Sequence, residues 1–152
     1  MVRIQRRLYL PPKYLDFNIK FHIKSILEDQ IKNECSKEYG YILDIIDILE
    51  INSIENTIFN VIFEATNLKP EPKKEFEGVV CKVLQDGLFI DIQSKQKMLI
   101  PQKSLVNYTF DEITNSYISE TKSIKEGDIV LAIVTASQFN KDKFSCFGSL
   151  KE

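Results

Sequence analysis

Glu77-Gly78-Val79-Val80-Cys81-Lys82-Val83-Leu84-Gln85-Asp86-Gly87-Leu88-Phe89-Ile90-Asp91-Ile92 decides the fold of the C-terminal half. Residues 77–84 read as a strand, Gln85-Asp86-Gly87 as a turn with the favoured Asp-Gly hairpin pair, and residues 88–92 as the return strand. Outward from there, Lys97-Met98-Leu99-Ile100 is a third strand, ended by Pro101. Residues 102–125 form a polar stretch that carries Tyr108, Phe110 and Tyr117. Glu126-Gly127-Asp128 turns into a fourth strand over 129–136, apolar on both faces and so expected to be central. Asn140-Lys141-Asp142-Lys143 is a hairpin turn, and 144–150 is the last strand. Five short strands with an insert between the third and fourth is the OB-barrel layout.

The N-terminal half has a different texture. Ile4, Leu8 and Leu10 among Arg3, Gln5 and Arg7 fit a half-exposed strand over 2–10. Pro11-Pro12 stops it, because proline cannot donate to a ladder. Ile19, Ile23, Ile26, Leu27 and Ile31 make one helical stripe, predicting a helix over about 18–35 with Asp16 or Asn18 at its cap. His22 lies off that stripe and reads as a surface residue. Residues 39–51 read as a strand with Asp44, Asp47 and Glu50 interspersed, and 52–56 as a turn. Residues 57–68 alternate, with Phe59, Val61, Phe63 and Ala65 on one face. The order β-α-β-β implies a small antiparallel sheet with one helix on one face, so the chain is α+β overall. Lys69-Pro70-Glu71-Pro72-Lys73-Lys74 is the one proline-and-charge cluster and predicts two domains, 1–72 and 73–152.

Composition bounds the function. With 152 residues, 43% hydrophobic and 28% charged, the chain is an ordinary globular protein. No stretch approaches the ~20 apolar residues of a membrane helix, and no apolar run follows the basic Met1–Arg7 segment, so neither a membrane partner nor a secretory signal is expected. Residues 1–74 carry 11 basic and 11 acidic side chains, and residues 75–152 carry 9 and 11. Neither half has the basic excess of a tight nucleic-acid binder, so any RNA contact is expected to be weak or local. Cys35, Cys81 and Cys146 are far apart and His22 is the single histidine, which leaves no metal-ligand cluster; the thiols read as reduced and mostly buried. No nucleophile–base pair and no glycine-rich phosphate loop is visible. No catalytic residue, metal or cofactor is expected.

The candidate binding residues lie on the barrel. Leu88, Ile90 and Ile92 alternate with Phe89 and Asp91, so Phe89 should point out of the barrel. There it either stacks on a base or packs under the 102–125 insert. In the last strand, Phe144 and Cys146 share one face and Ser145, Phe147 and Ser149 the other. The sequence does not say which is core; if Phe144 and Cys146 point in, Phe147 joins Phe89 outside. Lys141 and Lys143 sit at the adjoining hairpin, where they either meet phosphates or are simply solvated.

Glu77-Gly78-Val79-Val80, Asp86-Gly87-Leu88-Phe89-Ile90, residues 98–104 and Lys125-Glu126-Gly127-Asp128-Ile129-Val130 together resemble the ribosomal S-one-type RNA-binding OB domain. Ahead of them, Leu10-Pro11-Pro12-Lys13-Tyr14, Lys37-Glu38-Tyr39-Gly40-Tyr41-Ile42, Phe63-Glu64-Ala65 and Leu68-Lys69-Pro70 resemble the stalk subunit of multisubunit DNA-directed RNA polymerases. This is the family of the seventh subunit of eukaryotic polymerase II and of its archaeal counterpart. The resemblance implies a tip domain of truncated ribonucleoprotein-like fold followed by the OB barrel. It implies a non-catalytic transcription subunit that docks on the polymerase core through the tip and contacts nascent single-stranded RNA with the barrel. It places Pro11, Pro12, Tyr14, Tyr39 and Gly40 where the family's tip meets the core. Expected partners are the core subunits, a small helical stalk partner where one exists, and weakly held RNA. The expected location is the nucleus, or a cytoplasmic virus factory or virion if the chain is virus-encoded. The S-one motif alone also permits a free-standing RNA-binding factor, and OB folds host protein-only scaffolds.

Overall fold

The structure, a computed structural model, describes residues 1–32 and 34–151. It divides into two compact units, Met1–Lys69 and Pro70–Glu152.

The first unit runs β1 (Val2–Tyr9), a 3-10 turn (Pro12–Tyr14), α1 (Ile19–Ile31), β2 (Cys35–Ser36), β3 (Gly40–Glu55) and β4 (Ile58–Leu68). The strands form one antiparallel sheet in the order β1-β4-β3-β2. Its core joins Ile4 and Leu8 of β1, Ile23, Leu27 and Ile31 of α1, and Phe59, Val61, Phe63 and Ala65 of β4. The helix is shorter than the expected range of about 18–35. It ends at Ile31, the last stripe position, and Lys32 is already extended (φ −57°, ψ 121°). Cys35, expected inside the helix, pairs instead with Tyr41, so strand pairing overrides helix propensity there. Glu34 holds this exit by accepting two hydrogen bonds from Arg6 at 2.7 and 3.3 Å.

β3 and β4 do not pair one to one. Ile42, Ile45, Ile48 and Ile51 stand opposite Asn67, Ala65, Phe63 and Val61. Three residues of β3 therefore match two of β4, and Leu43, Ile46 and Leu49 are the extra residues of successive bulges. The cause is the triplet Ile-Leu-Asp, Ile-Ile-Asp, Ile-Leu-Glu over residues 42–50. With an acidic residue at every third position, one bulge per triplet is what keeps Ile42, Ile45 and Ile48 buried and Asp44, Asp47 and Glu50 in water. The turn expected at 52–56 is tighter than that. β3 continues to Glu55, which pairs with Ile58 and leaves Asn56 and Thr57 as the two turn residues.

The second unit contains β5 (Glu75–Leu84), β6 (Gly87–Ile92), β7 (Gln96–Pro101), β8 (Thr109–Asp111), β9 (Ser116–Ile118), β10 (Ser123–Ile124), β11 (Ile129–Asn140) and β12 (Lys143–Leu150). Five of them close a barrel in the order β11-β12-β7-β6-β5, sealed by β11 pairing with β5. Val80, Val83, Leu88, Ile90, Ile92, Met98, Ile100, Ala132, Val134 and Cys146 fill it. Gly148 has no side chain because a Cβ there would collide with the Met98 sulfur and the Ile133 carbonyl. The insert is not merely polar loop. β8, β9 and β10 form a small sheet clamped to the β5–β6 turn by Tyr117, whose buried hydroxyl donates to the carbonyls of Leu84 (2.6 Å) and Gln85 (2.9 Å). β11 pairs on both edges as expected of a central strand, but its outer face is not covered: Ile129 is 66% exposed, opposite an exposed Val79.

Candidate nucleic-acid interface

The faces of β6 and β12 follow from burial. Leu88, Ile90 and Ile92 point in, and Phe89 is half-buried on the outer surface. Cys146 is buried, so Phe144 and Cys146 define the inner face of β12, and Phe147 points out at 43% exposure. Phe89 pairs with Leu99 across the antiparallel β6–β7 ladder, and Phe147 pairs with the same Leu99 across the parallel β7–β12 contact. Paired residues share a face, so Phe89, Leu99 and Phe147 form one outward apolar row. At ordinary strand spacing the two phenylalanines stand about 10 Å apart.

Two bulges frame this row. In β5, Val80 pairs with Ile90 and Lys82 with Phe89, leaving Cys81 as the extra residue. Without that extra residue Lys82 would point into the barrel; with it, Val83 fills the core and Lys82 stands exposed beside Phe89. The Cys81 thiol donates to the Phe89 carbonyl at 3.4 Å. In β11, Thr135 is the extra residue between Val134 and Ala136, and its hydroxyl donates to the Phe147 carbonyl at 3.2 Å. The small, exposed Ala136 then stands opposite Phe147. The full row is Lys82, Phe89, Leu99, Phe147, Ala136, a cation at one end and a small side chain at the other.

Lys143 and Ser145 continue the outer face of β12, with Lys143 four residues, or roughly 13 Å, from Phe147. Lys141 sits at the turn with φ 61°, and both lysines are exposed. Sequence patterning points to Phe89, Phe147, Lys141 and Lys143 but not to Lys82 or Leu99. The signal for Lys82 is the spacing of Val80 and Val83, two core residues three apart in one strand.

The tip residues fall into two groups. Pro11 is half-buried, Pro12 is exposed, and Tyr14 packs against the tip core within one 3-10 turn. Tyr39 and Gly40 lie at the β2–β3 turn. Tyr39 is packed on the core, its N–H donates to Ser36 Oγ (3.1 Å) and its carbonyl accepts from Asn67 (2.7 Å). Gly40 is buried with φ +72°, and a Cβ would strike the Leu68 carbonyl, so glycine is required there by the backbone alone. Leu10 donates to the Thr57 carbonyl at one end of β4, whereas Tyr41 pairs with Leu68 at the other, so roughly 30 Å of strand separates the two groups.

A five-stranded barrel with an aromatic outer row defines the class, and the comparisons agree. The S1 RNA binding domain model matches residues 69–150, more than half of the chain, which therefore belongs to that family. Residues 5–64 match the "SHS2 domain found in N terminus of Rpb7p/Rpc25p/MJ0397". The two domains in this order are the Rpb7/Rpc25 architecture. Among curated proteins, "Uncharacterized protein 250L" of Invertebrate iridescent virus 6 is 26% identical over 95% of this chain and 93% of its own length. Among solved structures, the apo form of Mycoplasma genitalium RNase R aligns with 53% of this chain and 13% of that one, at 18% identity and a TM-score of 0.44. Both matched domains are of non-catalytic types, the second an RNA-binding one.

Proposed function

We propose that this chain is a non-catalytic stalk subunit of a DNA-directed RNA polymerase, docked on the core through its tip domain and touching exiting RNA with its barrel. The observation that carries the RNA role is the Phe89–Leu99–Phe147 row with Lys82 at its end. Exposed aromatics on strands stack bases without regard to sequence, and nearby lysines pair with phosphates. The near-neutral charge of the chain fits contacts that position a transcript rather than hold it. In this reading Phe89 and Phe147 stack, Lys82, Lys141 and Lys143 neutralise phosphates, and Pro11, Pro12 and Tyr14 belong to the docking end of the tip. Tyr39 and Gly40 stay part of the docking proposal as the elements that shape the far end of the sheet.

The partners are then the core subunits, a small helical stalk subunit where one exists, and nascent single-stranded RNA. The likeness to an iridescent-virus protein supports a virus-encoded polymerase, acting in the nucleus, a cytoplasmic virus factory or the virion. Affinity purification of the tagged full chain from cells making its polymerase tests the assignment. Recovery of the large core subunits in stoichiometric amounts is expected. Their absence, with RNA binding retained, would instead make the chain a free-standing RNA-binding factor.

A further inference from the structure

The outer face of the barrel continues past the aromatic row toward the β6–β7 turn, and the register of β7 against β12 fixes what stands there. Phe147 pairs with Leu99, and buried Gln96 donates through Nε2 to the Phe144 carbonyl at 3.0 Å; both partners are 48 positions apart. The same Nε2 also donates to the Lys97 carbonyl at 2.8 Å. The parallel register therefore holds from Leu99 back to Gln96. It sets Lys97 beside Ser145 and, one residue before β7 begins, Lys95 beside Lys143. Gln96, Met98 and Ile100 point into the barrel, so Lys95, Lys97 and Leu99 fall on the outer face with Lys143, Ser145 and Phe147. Gln93 and Ser94 both take positive φ (52° and 58°) in the turn that joins the paired Ile92 and Gln96, which brings Lys95 to the mouth of this seam.

Like charges side by side on neighbouring strands repel each other unless an anion lies between them. Strand spacing puts the backbones of Lys95 and Lys143 about 5 Å apart. Lys95, Lys97 and Lys143 make no ion pair among the described residues. Two carboxylates are near. Asp91 stands opposite Lys97 across the β6–β7 ladder, and Asp142 lies in the β11–β12 turn, yet neither closes on a lysine. Lys97 is about 7 Å along the strand from Leu99, and Lys95 about 13 Å. We propose that Lys95 and Lys97 bind backbone phosphates of single-stranded RNA together with Lys143, so that a strand passing Lys82 and the aromatic row turns down the β7–β12 seam to the β6–β7 turn. The inference rests on the RNA reading of the barrel and gives that face a path. Phosphate is the group that fits, because the seam beyond Phe147 offers cations and a hydroxyl but no further ring on which a base could stack.

The test titrates the full chain with an unstructured oligouridylate of about 12 nucleotides, within the span of one OB fold, at several salt concentrations. Lys95→Gln and Lys97→Gln should each lower the slope of log K against log salt by about 0.7, and the double variant by about 1.4. Lys95→Glu is the sharper variant, because it puts a carboxylate beside Lys143. Its RNA affinity should fall at least roughly tenfold, while its melting temperature at low salt holds or rises, the opposite of a damaged fold. Inorganic phosphate at the same phosphate concentration should not displace the oligonucleotide. Lys95 and Lys97 variants that keep the parent's slope while Phe147→Ala still weakens binding overturn the path and leave the stacking face standing. A parent chain that binds no oligonucleotide overturns both. Displacement by inorganic phosphate would make the lysines a free-anion site and overturn the path. A Lys95→Glu protein that melts well below the parent would overturn the register that sets Lys95 beside Lys143, and the path with it.

Discussion

Phe89 and Phe147 come from strands nearly sixty positions apart in the chain, yet each stands opposite Leu99, one across an antiparallel ladder and one across a parallel contact. Neither ring is adjacent to the other in the sheet, so each offers its own stacking surface. Phe89→Ala and Phe147→Ala should each weaken binding of a single-stranded RNA by roughly 1–3 kcal/mol. Melting separates that contact from packing. Phe147 is 43% exposed and should cost little; half-buried Phe89 should cost less than the ~3–5 kcal/mol of a fully buried phenylalanine. Anisotropy titration of both variants with an unstructured oligonucleotide is the measurement. Unchanged affinity in both would take the RNA role from this face and leave a protein-binding barrel.

The three lysines act through charge, not stacking. Lys82→Gln, Lys141→Gln and Lys143→Gln should each reduce the slope of log K against log salt by about 0.7 if the phosphate contact is real. Their effect should be uniform across oligonucleotide sequences. A Lys82→Gln protein with the parent's salt slope would show that the bulge at Cys81 aims this side chain at solvent rather than at RNA.

Much of this architecture is legible in the chain because its strands are long and bounded by proline or turn pairs. The inner set Leu88, Ile90, Ile92 fixes Phe89 on the outside before any coordinate is known. Bulges defeat the same logic. A period of two carried through Val80 to Leu84 would send Lys82 inward, and nothing short of the partner strand shows that Cys81 is skipped. The insert strands β8 to β10 have only two or three residues each, too few to show alternation. The helix stripe ends at Ile31, but the sequence from there to Cys35 has no glycine or proline to mark a stop, so the expected end runs on to Cys35. The face of β12 is open in the sequence because Phe144 and Phe147 are equally apolar; Gly148, buried against Met98, is what settles it.

The tripled spacing of β3 makes a prediction that a regular strand would not. Ile46 and Ile48 are two apart and would share a face at period two. In the bulged register Ile48 is buried at 4% exposure and Ile46 is 50% exposed. Ile48→Ala should therefore cost about 2–5 kcal/mol, whereas Ile46→Ala should stay within about 0.5 kcal/mol. Urea unfolding of the two single variants measures this directly. Equal losses would mean that β3 and β4 pair without the bulges.

Cys146 sets the behaviour of the barrel in base. Its side chain is 5% exposed, and burial pushes the thiol up to about 11. In the unfolded chain the thiol ionises near its ordinary value of about 8.5. As pH rises, the unfolded state therefore gives up this proton before the folded state does, and the equilibrium moves toward unfolding. The contribution is fully present below the unfolded value and is lost progressively as pH climbs through about 11. Tyr117, Tyr41 and Tyr39 are raised in the same direction, each chiefly by burial, and extend the loss above their ordinary value of 10.0. The melting temperature should thus fall from about pH 8.5 upward. Cys146→Ala, which removes the earliest of these groups, should flatten the first part of that fall while leaving the tyrosine part in place. Alkylation gives an independent reading: at mildly basic pH iodoacetamide should modify half-buried Cys81 well before Cys146. A Cys146 that reacts first, or a variant whose melting temperature follows the parent's pH dependence throughout, would place that thiol outside the barrel core.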